Sequence, residues 1–264
     1  MILPASYLNG FAPRDGQPLY PSLWKGCVGA WNPGLGPSGL TLRDQSGFQN
    51  NGTLTNGPTF AASQGKYGIK FLGLSTYSSL SDRNFPTGAK PWTISAWANT
   101  AVTGESGSIQ RFVFSWGTAS VSQRGTMALQ QSKLSYPYYG GALYGNTSLA
   151  INTWYPLAIV YDGATVSFFV NGLRDGTTSF VPSITLSGTS SIGSPFDNLG
   201  NSSYTWNGLI DDVRLYNRAL SPDEIRTLST RRGIAYEMAP RRRSSAQSVV
   251  SYSTFRPSVL RGSR

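Results

Sequence analysis

Short runs of alternating hydrophobic and polar residues, separated by turns containing Gly, Pro, Asn or Asp, fill most of the chain from residue 24 onward. A period of two residues with frequent Val, Ile, Tyr, Phe and Trp is typical of β-strands that bury one face. The pattern predicts an all-β protein. Its predicted strands lie in WKGCVGAW, YGIKFLGLSTYSSL, WTISAWANT, RFVFSWG, TMALQQSKLSY, WYPLAIVYDG, TVSFFVNGL and GLIDDVRLYN.

Two local signals add a hairpin and a helix to this pattern. In WYPLAIVYDGATVSFFVNGLRDG, the pair Asn171-Gly172 fits a type I′ turn, which requires positive φ. In ALSPDEIRTLS, Ser221 is placed to cap a short helix, Pro222 to begin it and Glu224 to complete a capping box. The sequence therefore predicts one short helix near the carboxyl end of the β-rich region.

Length and composition favour one domain with two extended arms. The 264 residues are 39% hydrophobic and include 7 Trp, 14 Tyr and 12 Phe, enough for one large core. Single β-sandwich domains reach roughly 200–250 residues. We predict an extended, proline-rich N-terminal arm over residues 1–20, the domain over residues 21–230, and a C-terminal arm over residues 231–264.

The C-terminal arm carries most of the positive charge. The chain has a formal charge of +10, and the arm contains eight Arg against Glu237 alone, which gives it +7 and leaves +3 for the rest. Its Ser-, Arg- and Pro-rich composition shows no sustained period. It is either a solvated tail or a segment that docks on an acidic protein or nucleic-acid partner. The candidate docking residues are Arg231, Arg232, Arg241, Arg242 and Arg243.

The sequence excludes several classes of chemistry. It contains no His, which removes Ser-His-Asp and Cys-His nucleophile systems and His-based metal sites. Its one cysteine, Cys27, cannot form an internal disulfide and is predicted to be a buried apolar residue. The N-terminus has no basic start followed by an apolar run, and no stretch approaches the roughly 18 apolar residues of a membrane span. We expect neither a signal peptide nor a transmembrane segment.

Two adjacent aspartates interrupt the last predicted strand. Strict alternation places Asp211 on the same face as Val213 and Leu215, and Asp212 on the face of Arg214. A buried carboxylate needs hydrogen bonds, a cation or a proton. We therefore expect Asp211 to be buried and stabilised in one of these ways, and Asp212 to form a partly exposed pair with Arg214.

Five motifs in a fixed order resemble the LamG-like (laminin G-like, pentraxin-like) family of concanavalin A-like domains. They cover about residues 24–230 and are LTLRDQSGFQNNGTL, IKFLGLSTYSSL, WTISAWANT, NTWYPLAIVYDGATVSFFVNGLRDG and WNGLIDDVRLYNRALSPDEIRTL. The resemblance implies a two-sheet antiparallel jelly-roll sandwich, which agrees with the predicted strands. The first motif carries Asn51 where the family often has His.

The resemblance also implies a structural calcium ion beside the first motif. By position its ligands would be Asp44, Asn50 or Asn51, with a further oxygen from Asp211. Calcium takes roughly 6–8 oxygen ligands, and backbone carbonyls of this loop could supply several of them. The alternative is that Asp44 caps its own loop and Asp211 accepts backbone hydrogen bonds.

Binding is a better prediction than catalysis. Glycoside hydrolysis needs two carboxyl groups roughly 5–9.5 Å apart, and each of the three glutamates has another explanation: a loop for Glu105, helix capping for Glu224 and the tail for Glu237. Four tyrosines in SYPYYGGALYGN can instead stack on sugars or anchor a protein interface. The alternative is that two or three of them line the core. They are Tyr136, Tyr138, Tyr139 and Tyr144.

The arms and the domain together resemble the LamG-like proteins encoded by tailed bacteriophages. This resemblance implies a non-enzymatic virion protein assembled in the host cytoplasm, a capsid decoration (cement) protein or head fibre. Its arms would dock on neighbouring capsid subunits or on a second copy, and its sandwich would project outward and contact glycans. The alternative is a free, lectin-like carbohydrate-binding module. Nucleic acid is expected only as a nonspecific contact of the arginines.

Overall fold

The computed structural model describes residues 18–33, 39–102 and 109–238. Two antiparallel sheets pack face to face, so the predicted all-β sandwich is confirmed. Strands are numbered along the chain. Sheet 1 contains β1 (Cys27–Trp31), β4 (Thr59–Ser63), β5 (Lys66–Leu72), β7 (Trp92–Thr100), β12 (Trp154–Tyr161), β13 (Thr165–Val170), β14 (Leu173–Ser179) and β16 (Asn207–Tyr216). Sheet 2 contains β2 (Thr41–Leu42), β3 (Gly52–Thr55), β6 (Tyr77–Leu80), β8 (Arg111–Gly117), β9 (Arg124–Gln130), β10 (Lys133–Tyr138), β11 (Gly141–Ser148) and β15 (Ser190–Ile192).

In each sheet, some neighbouring strands come from distant parts of the sequence. Sheet 1 runs β14-β13-β12-β7-β16-β5-β4, with β1 pairing with the second half of β16. Sheet 2 runs β11-β10-β9-β8-β15-β6-β3-β2. Four of the seven pairings in sheet 1 and three of the seven in sheet 2 join strands that are not consecutive in the sequence, so the apolar core between the sheets helps to set their registers.

Aromatic side chains dominate that core. Trp31, Trp92, Trp116 and Tyr136 are fully buried there. The ring of Trp92 stacks on Tyr136 at a centroid distance of 5.7 Å and meets the edge of Trp116 at 5.5 Å. Aromatic pairs of this kind contribute about 0.5–1.5 kcal/mol each beyond the area they bury.

The predicted helix and hairpin turn are both present. Helix α1 (Pro222–Leu228) begins after Ser221, whose hydroxyl accepts the Glu224 N–H while the Glu224 carboxylate accepts the Ser221 N–H, as a capping box requires. In the turn between β13 and β14, Asn171 and Gly172 have φ of 54° and 77°, which is the type I′ conformation predicted.

The outer face of sheet 1 is covered by helix α1 and two short 3-10 segments, Pro21–Trp24 and Ile234–Tyr236. Leu19 N–H donates to the Glu237 carbonyl, and Pro18 forms a β-bridge with Met238. The packed region therefore continues on both sides of the predicted boundaries at residues 20 and 230. The remainder of the two predicted arms, residues 1–17 and 239–264, lies outside the described residues.

Cys27 lies in the cluster beneath this cover, as predicted. It is a free cysteine with 4% of its surface exposed. Burial raises the pKa of its thiol to about 12, so the thiol is neutral and packs as an apolar group.

A β-bulge changes the alternation of β16. The register with β7 shifts between Asp211 and Arg214, and Asp212 adopts a left-handed φ of 46°. Val213 and Leu215 enter the core, whereas Asp211 does not join it. The prediction that Asp211 shares a face with these two residues is wrong, because the extra residue of the bulge shifts Asp211 to the other side of the strand.

Candidate functional site

An open groove of about 440 Å³ lies on the outer face of sheet 2. Strands β8 to β11 form its floor, and the loop of residues 193–206 between β15 and β16 forms one wall. A bulge in β8 between Phe112 and Phe114 places Phe114 in the core and leaves Phe112 to line the groove. The local irregularity of β8 thus adds an aromatic ring to the floor.

One end of the groove is charged. Arg124 Nη1 lies 3.2 Å from Asp197 Oδ2, with the two side chains 9% and 16% exposed. The Arg124 guanidinium carbon lies 5.7 Å from the ring centroid of Phe112 and 5.8 Å from that of Tyr139. These contacts hold the guanidinium in one orientation, because the aromatic faces attract the cation and the carboxylate fixes one edge.

The other end is polar and uncharged. Gln110 Nε2 donates to Gln130 Oε1 at 3.3 Å, and both amides line the groove. Arg124 and Gln130 are the first and last residues of β9. Because a strand advances about 3.3 Å per residue, the Cα atoms of these two residues lie roughly 20 Å apart, and the Arg124 side chain reaches towards Phe112 between them.

The wall is held by hydrogen bonds from within the loop and from sheet 2. Phe196 N–H donates to the buried Ser115 hydroxyl at 2.8 Å, and Gly200 N–H donates to the Ser194 hydroxyl at 3.2 Å. The ring of Tyr204 meets the edge of Phe112 at 6.4 Å. Asp197 and Tyr204 are thereby fixed over the strands, so the groove needs little rearrangement to accept a ligand.

The four tyrosines predicted for binding divide into two groups. Tyr136 is fully buried in the core, where burial raises its pKa and its hydroxyl donates to the Arg124 carbonyl. Tyr138 is half-buried against Phe180 and also lines the groove. Tyr139 and Tyr144 line the groove with 51% and 37% of their surface exposed. Tyr136 therefore lines the core, which was the alternative to a binding role. The other three tyrosines lie together at one surface.

Sequence reasoning missed the other residues of the groove. Arg124 and Asp197 are 73 positions apart, and Gln110 precedes a strand that reads as wholly buried. The available signal was the segment SPFDNLGNSSYTW, a loop rich in Ser, Asn and Gly that also carries three aromatic residues and one Asp. Aromatic side chains within so polar a loop indicate a binding wall.

The adjacent aspartates lie instead beneath the cover of sheet 1. Asp211 Oδ2 is 3.5 Å from Arg232 Nη1, and Asp212 Oδ1 is 2.9 Å from Arg214 Nε. Asp211, Asp212 and Arg214 are 1%, 2% and 0% exposed. The predicted Asp212–Arg214 pair exists, but the expectation that it is partly exposed is wrong, because the terminal segments cover this face.

Burial changes the protonation of Asp211. Removal from water, followed by the neighbouring Asp212 carboxylate, raises the pKa of Asp211 to about 7 despite the opposing charge of Arg232. The guanidinium carbon of Arg232 lies 4.3 Å from the Trp154 ring centroid. Asp211 Oδ1 also accepts the Asp212 N–H at 2.7 Å, and Arg232 partly offsets the cost of burial, so Asp211 is a fold-holding group stabilised by a hydrogen bond, a nearby cation and, below about pH 7, a proton.

The predicted calcium ligands do not form a common site. Asp44 Oδ1 accepts the N–H groups of Ala30 and Ser46, and its Oδ2 accepts the Ser46 hydroxyl and the Asn50 N–H. Asn51 Oδ1 accepts the Asp44 N–H, which is part of the same loop network.

Asn50 and Asp211 are also engaged elsewhere. Asn50 is fully buried, and its side-chain amide bonds Val28, Arg83 and Ser81. Asp211 Oδ2 faces Arg232, and its Oδ1 accepts the Asp212 N–H. Within residues 18–33, 39–102 and 109–238, no three acidic or cysteine side chains cluster as metal ligands. The arrangement fits the alternative in which Asp44 caps its own loop.

The predicted docking arginines fall in two places. Arg231 is exposed and pairs with Glu237. Arg232 is 5% exposed and donates to the Ser63 carbonyl, so in this fold its side chain is not available to a partner. Arg241, Arg242 and Arg243 lie outside the described residues. In the part of the chain that the structure describes, no helix has the length and apolar character of a membrane span.

Comparisons with known proteins support the same fold. Domain 4 of AbnA, an extracellular GH43 arabinanase from Geobacillus stearothermophilus, solved in complex with arabinotriose, has a TM-score of 0.60 and 16% identity; the match covers 77% of this chain and 98% of that domain. The binding domain of Paraclostridial Mosquitocidal Protein 1 has a TM-score of 0.62 and 15% identity, covering 78% and 52%. Trypanosoma rangeli sialidase has a TM-score of 0.54 and 15% identity, covering 78% and 32%.

These identities show the fold alone, and this chain spans about half of the second structure and a third of the third. A comparison with curated proteins gives no match. The model of the concanavalin A-like lectin/glucanases superfamily matches residues 72–226, which is more than half of the chain. The chain therefore belongs to the concanavalin A-like lectin/glucanases superfamily, as its motifs predict.

Proposed function

We propose that this domain is a non-catalytic carbohydrate-binding module and that the groove on sheet 2 is its binding site. The observation that carries the proposal is the combination of exposed tyrosine rings with fixed polar groups along one groove. Sugar rings present C–H groups on their faces, which pack on aromatic rings, and hydroxyls at their edges, which need hydrogen bonds. Tyr139 and Tyr144 supply the first kind of contact, and Arg124, Asp197 and the two glutamines supply the second.

The comparison with the arabinanase supports this proposal. The match spans nearly the whole of its domain 4, which was solved with arabinotriose bound, so a fold of this size serves as a sugar-binding unit there. An activity does not follow from a shared fold, so the proposal rests on the groove itself.

The number of carboxyl groups among the described groove residues favours binding over hydrolysis. Asp197 is the one acidic residue among the described groove residues, and it is paired with Arg124. A hydrolase of the common type needs a second carboxyl group across the scissile bond. Glu105 lies outside the described residues, so a Glu105→Gln variant is a useful control: we expect it to bind sugar like the wild type.

The virion decoration role stays a second hypothesis. Its support is the position of the first and last described residues: Pro18 and Met238 are bridged on the side of sheet 1 that carries its cover, and the groove lies on the opposite side of the sandwich. Arms leaving there could anchor the domain to capsid subunits while the groove faces outward. Particle proteomics on the source virus tests this hypothesis, and absence of the chain from purified particles would contradict it.

A glycan array followed by calorimetry tests the proposed function. We expect the full-length protein to bind a set of oligosaccharides, and Tyr139→Ala to weaken that binding about tenfold or more, because an interface aromatic is removed. Tyr67→Ala is the matched control, since Tyr67 is 38% exposed on β5 of the other sheet. Equal binding by the Tyr139 and Tyr67 variants would remove the groove as the site.

A further inference from the structure

The ion pair in the groove leaves one donor and one acceptor unused. Arg124 Nε donates to the Pro137 carbonyl and Nη1 to Asp197 Oδ2. Within the part of the chain that the structure describes, Arg124 Nη2 and Asp197 Oδ1 have no hydrogen-bond partner, and both side chains line the groove. The pair thus presents a charged donor beside a charged acceptor.

The Nη2 donor of Arg124 and the Oδ1 acceptor of Asp197 can together bind two neighbouring hydroxyl groups of a ligand. A hydroxyl both donates and accepts, so one can accept from Nη2 while the adjacent one donates to Oδ1. Hydrogen bonds to charged groups are about twice as strong as those between neutral groups, which makes this contact selective for correctly placed hydroxyls. A ligand carboxylate or sulfate could accept from Arg124 but would meet the negative charge of Asp197.

The net charge of the described groove residues is zero, which favours a neutral ligand over an anionic one. The chain carries +10 overall, yet among the described residues that line the groove the charged ones are Arg124 and Asp197, which cancel. The remaining polar side chains there are the amides of Gln110, Gln130 and Asn198 and the tyrosine hydroxyls. An anionic polymer would gain little at this surface from the net charge of the protein.

The shape of the groove indicates a chain rather than a terminal sugar. The lining residues extend along β9 from Arg124 to Gln130, whose Cα atoms lie roughly 20 Å apart, with Phe112 and Tyr204 also lining the groove. A pocket for one terminal ring would be closed at one end and much shorter.

We infer that the groove binds an internal stretch of a neutral polysaccharide, and that the Arg124–Asp197 pair recognises two adjacent hydroxyls of one sugar ring. This inference rests on the proposed carbohydrate-binding function. It makes Asp197 a specificity-determining residue that selects against carboxylated and sulfated glycans.

Asp197→Asn tests the inference because it keeps the shape of the side chain and removes its charge. The probes are arabinotriose, xylotetraose and cellotetraose as neutral ligands and tetragalacturonate as the acidic one, measured by calorimetry on the full-length protein. Asp223→Asn is the matched control, since it removes the same charge from a side chain that is 86% exposed on helix α1. Thermal unfolding of each variant checks that the fold is retained.

We expect the wild type to bind at least one neutral probe, with affinity changing less than about twofold between low and high salt. Asp197→Asn should weaken that binding about tenfold and gain affinity for tetragalacturonate, because Arg124 then lacks its counter-charge. Asp223→Asn should match the wild type.

Two other results separate the inference from the proposed function. Preference of the wild type for tetragalacturonate, or identical behaviour of the two Asn variants, would overturn the neutral-ligand inference and leave carbohydrate binding standing. No binding of the wild type to any neutral or acidic glycan, on the array or in solution, would overturn both.

Discussion

Two arginines on opposite outer faces of the sandwich have similar surroundings, but only one of them lines a groove. The guanidinium carbon of Arg214 lies 4.7 Å from the Trp24 ring centroid and 4.4 Å from that of Tyr236, and its Nε pairs with Asp212. Arg124 likewise lies near two aromatic rings and pairs with one Asp. Arg214 is completely buried, whereas Arg124 lines an open groove.

The difference indicates that the same set of side chains can hold a covered face together or line an open groove, according to what lies over it. On sheet 1, both rings that flank Arg214 come from the short 3-10 segments near the two ends of the described chain, so the ion pair ties those segments to the sheet. On sheet 2 Arg124 is 7% exposed, but it lines the groove, and its Nη2 has no hydrogen-bond partner among the described residues. A small opening at one edge of the guanidinium, and not residue type, distinguishes the two sites.

The largest expected effect is on the stability of the covered face. Arg214→Met should lower the free energy of unfolding by about 3–5 kcal/mol, because it leaves Asp212 buried without its cation. Urea unfolding followed by tryptophan fluorescence measures this change. The control is Arg226→Met, whose pair with Asp223 is exposed, and it should cost less than about 1 kcal/mol. Similar costs for the two variants would contradict the structural role of Arg214.

The second effect is a pH dependence of the same face. The raised pKa of Asp211, about 7, means that the folded state binds a proton more tightly than the unfolded state does. Its contribution to stability is therefore greatest at acidic pH and is lost as pH rises through 7. The groups that face Asp211 are Asp212, Arg232 and Lys66.

Asp211→Asn should remove this contribution. Between pH of about 5 and about 8, we expect the wild type to lose on the order of 2 kcal/mol of stability relative to the variant. Unfolding curves of both proteins across this range measure the difference. Parallel pH profiles would show that Asp211 does not titrate in the folded state.

The smallest stability effect belongs to the open face. Arg124→Met should cost about 1–2 kcal/mol, less than Arg214→Met, because Asp197 retains contact with water when its partner is removed. The same variant should abolish measurable sugar binding, whereas any folded fraction of Arg214→Met should bind normally. A larger stability loss at Arg124 than at Arg214 would reverse the comparison.

The regular strands could be predicted from the sequence because their alternation is strong. WTISAWANT and RFVFSWG correspond to β7 and β8 residue for residue. The edge strand β11 (GALYGNTS) was missed, since it is largely exposed and lacks an apolar period, and β14 (LRDGTTS), which has the same character, was implied only by the turn at Asn171-Gly172. The bulge at Asp212 was missed because nothing in a run of alternating residues marks a non-glycine position with positive φ.

The site was less predictable than the fold. Tyr139 and Tyr144 could be proposed because they lie in one short aromatic segment, but the same segment also contains the core residue Tyr136. The partners Arg124 and Asp197 meet only through the pairing of β8 with β9 and β15. Long-range strand pairing of this kind depends on the complete core, which a local pattern does not specify.

A heteronuclear NMR titration of the full-length protein tests the central claim most directly. The ligand is the neutral oligosaccharide with the highest affinity on the array, and the observable is the change in each backbone amide shift. The account predicts changes confined to β8–β11 and the loop of residues 193–206, with the amides around Arg214 unchanged. Changes centred on the outer face of sheet 1, or no changes at saturating ligand, would contradict it.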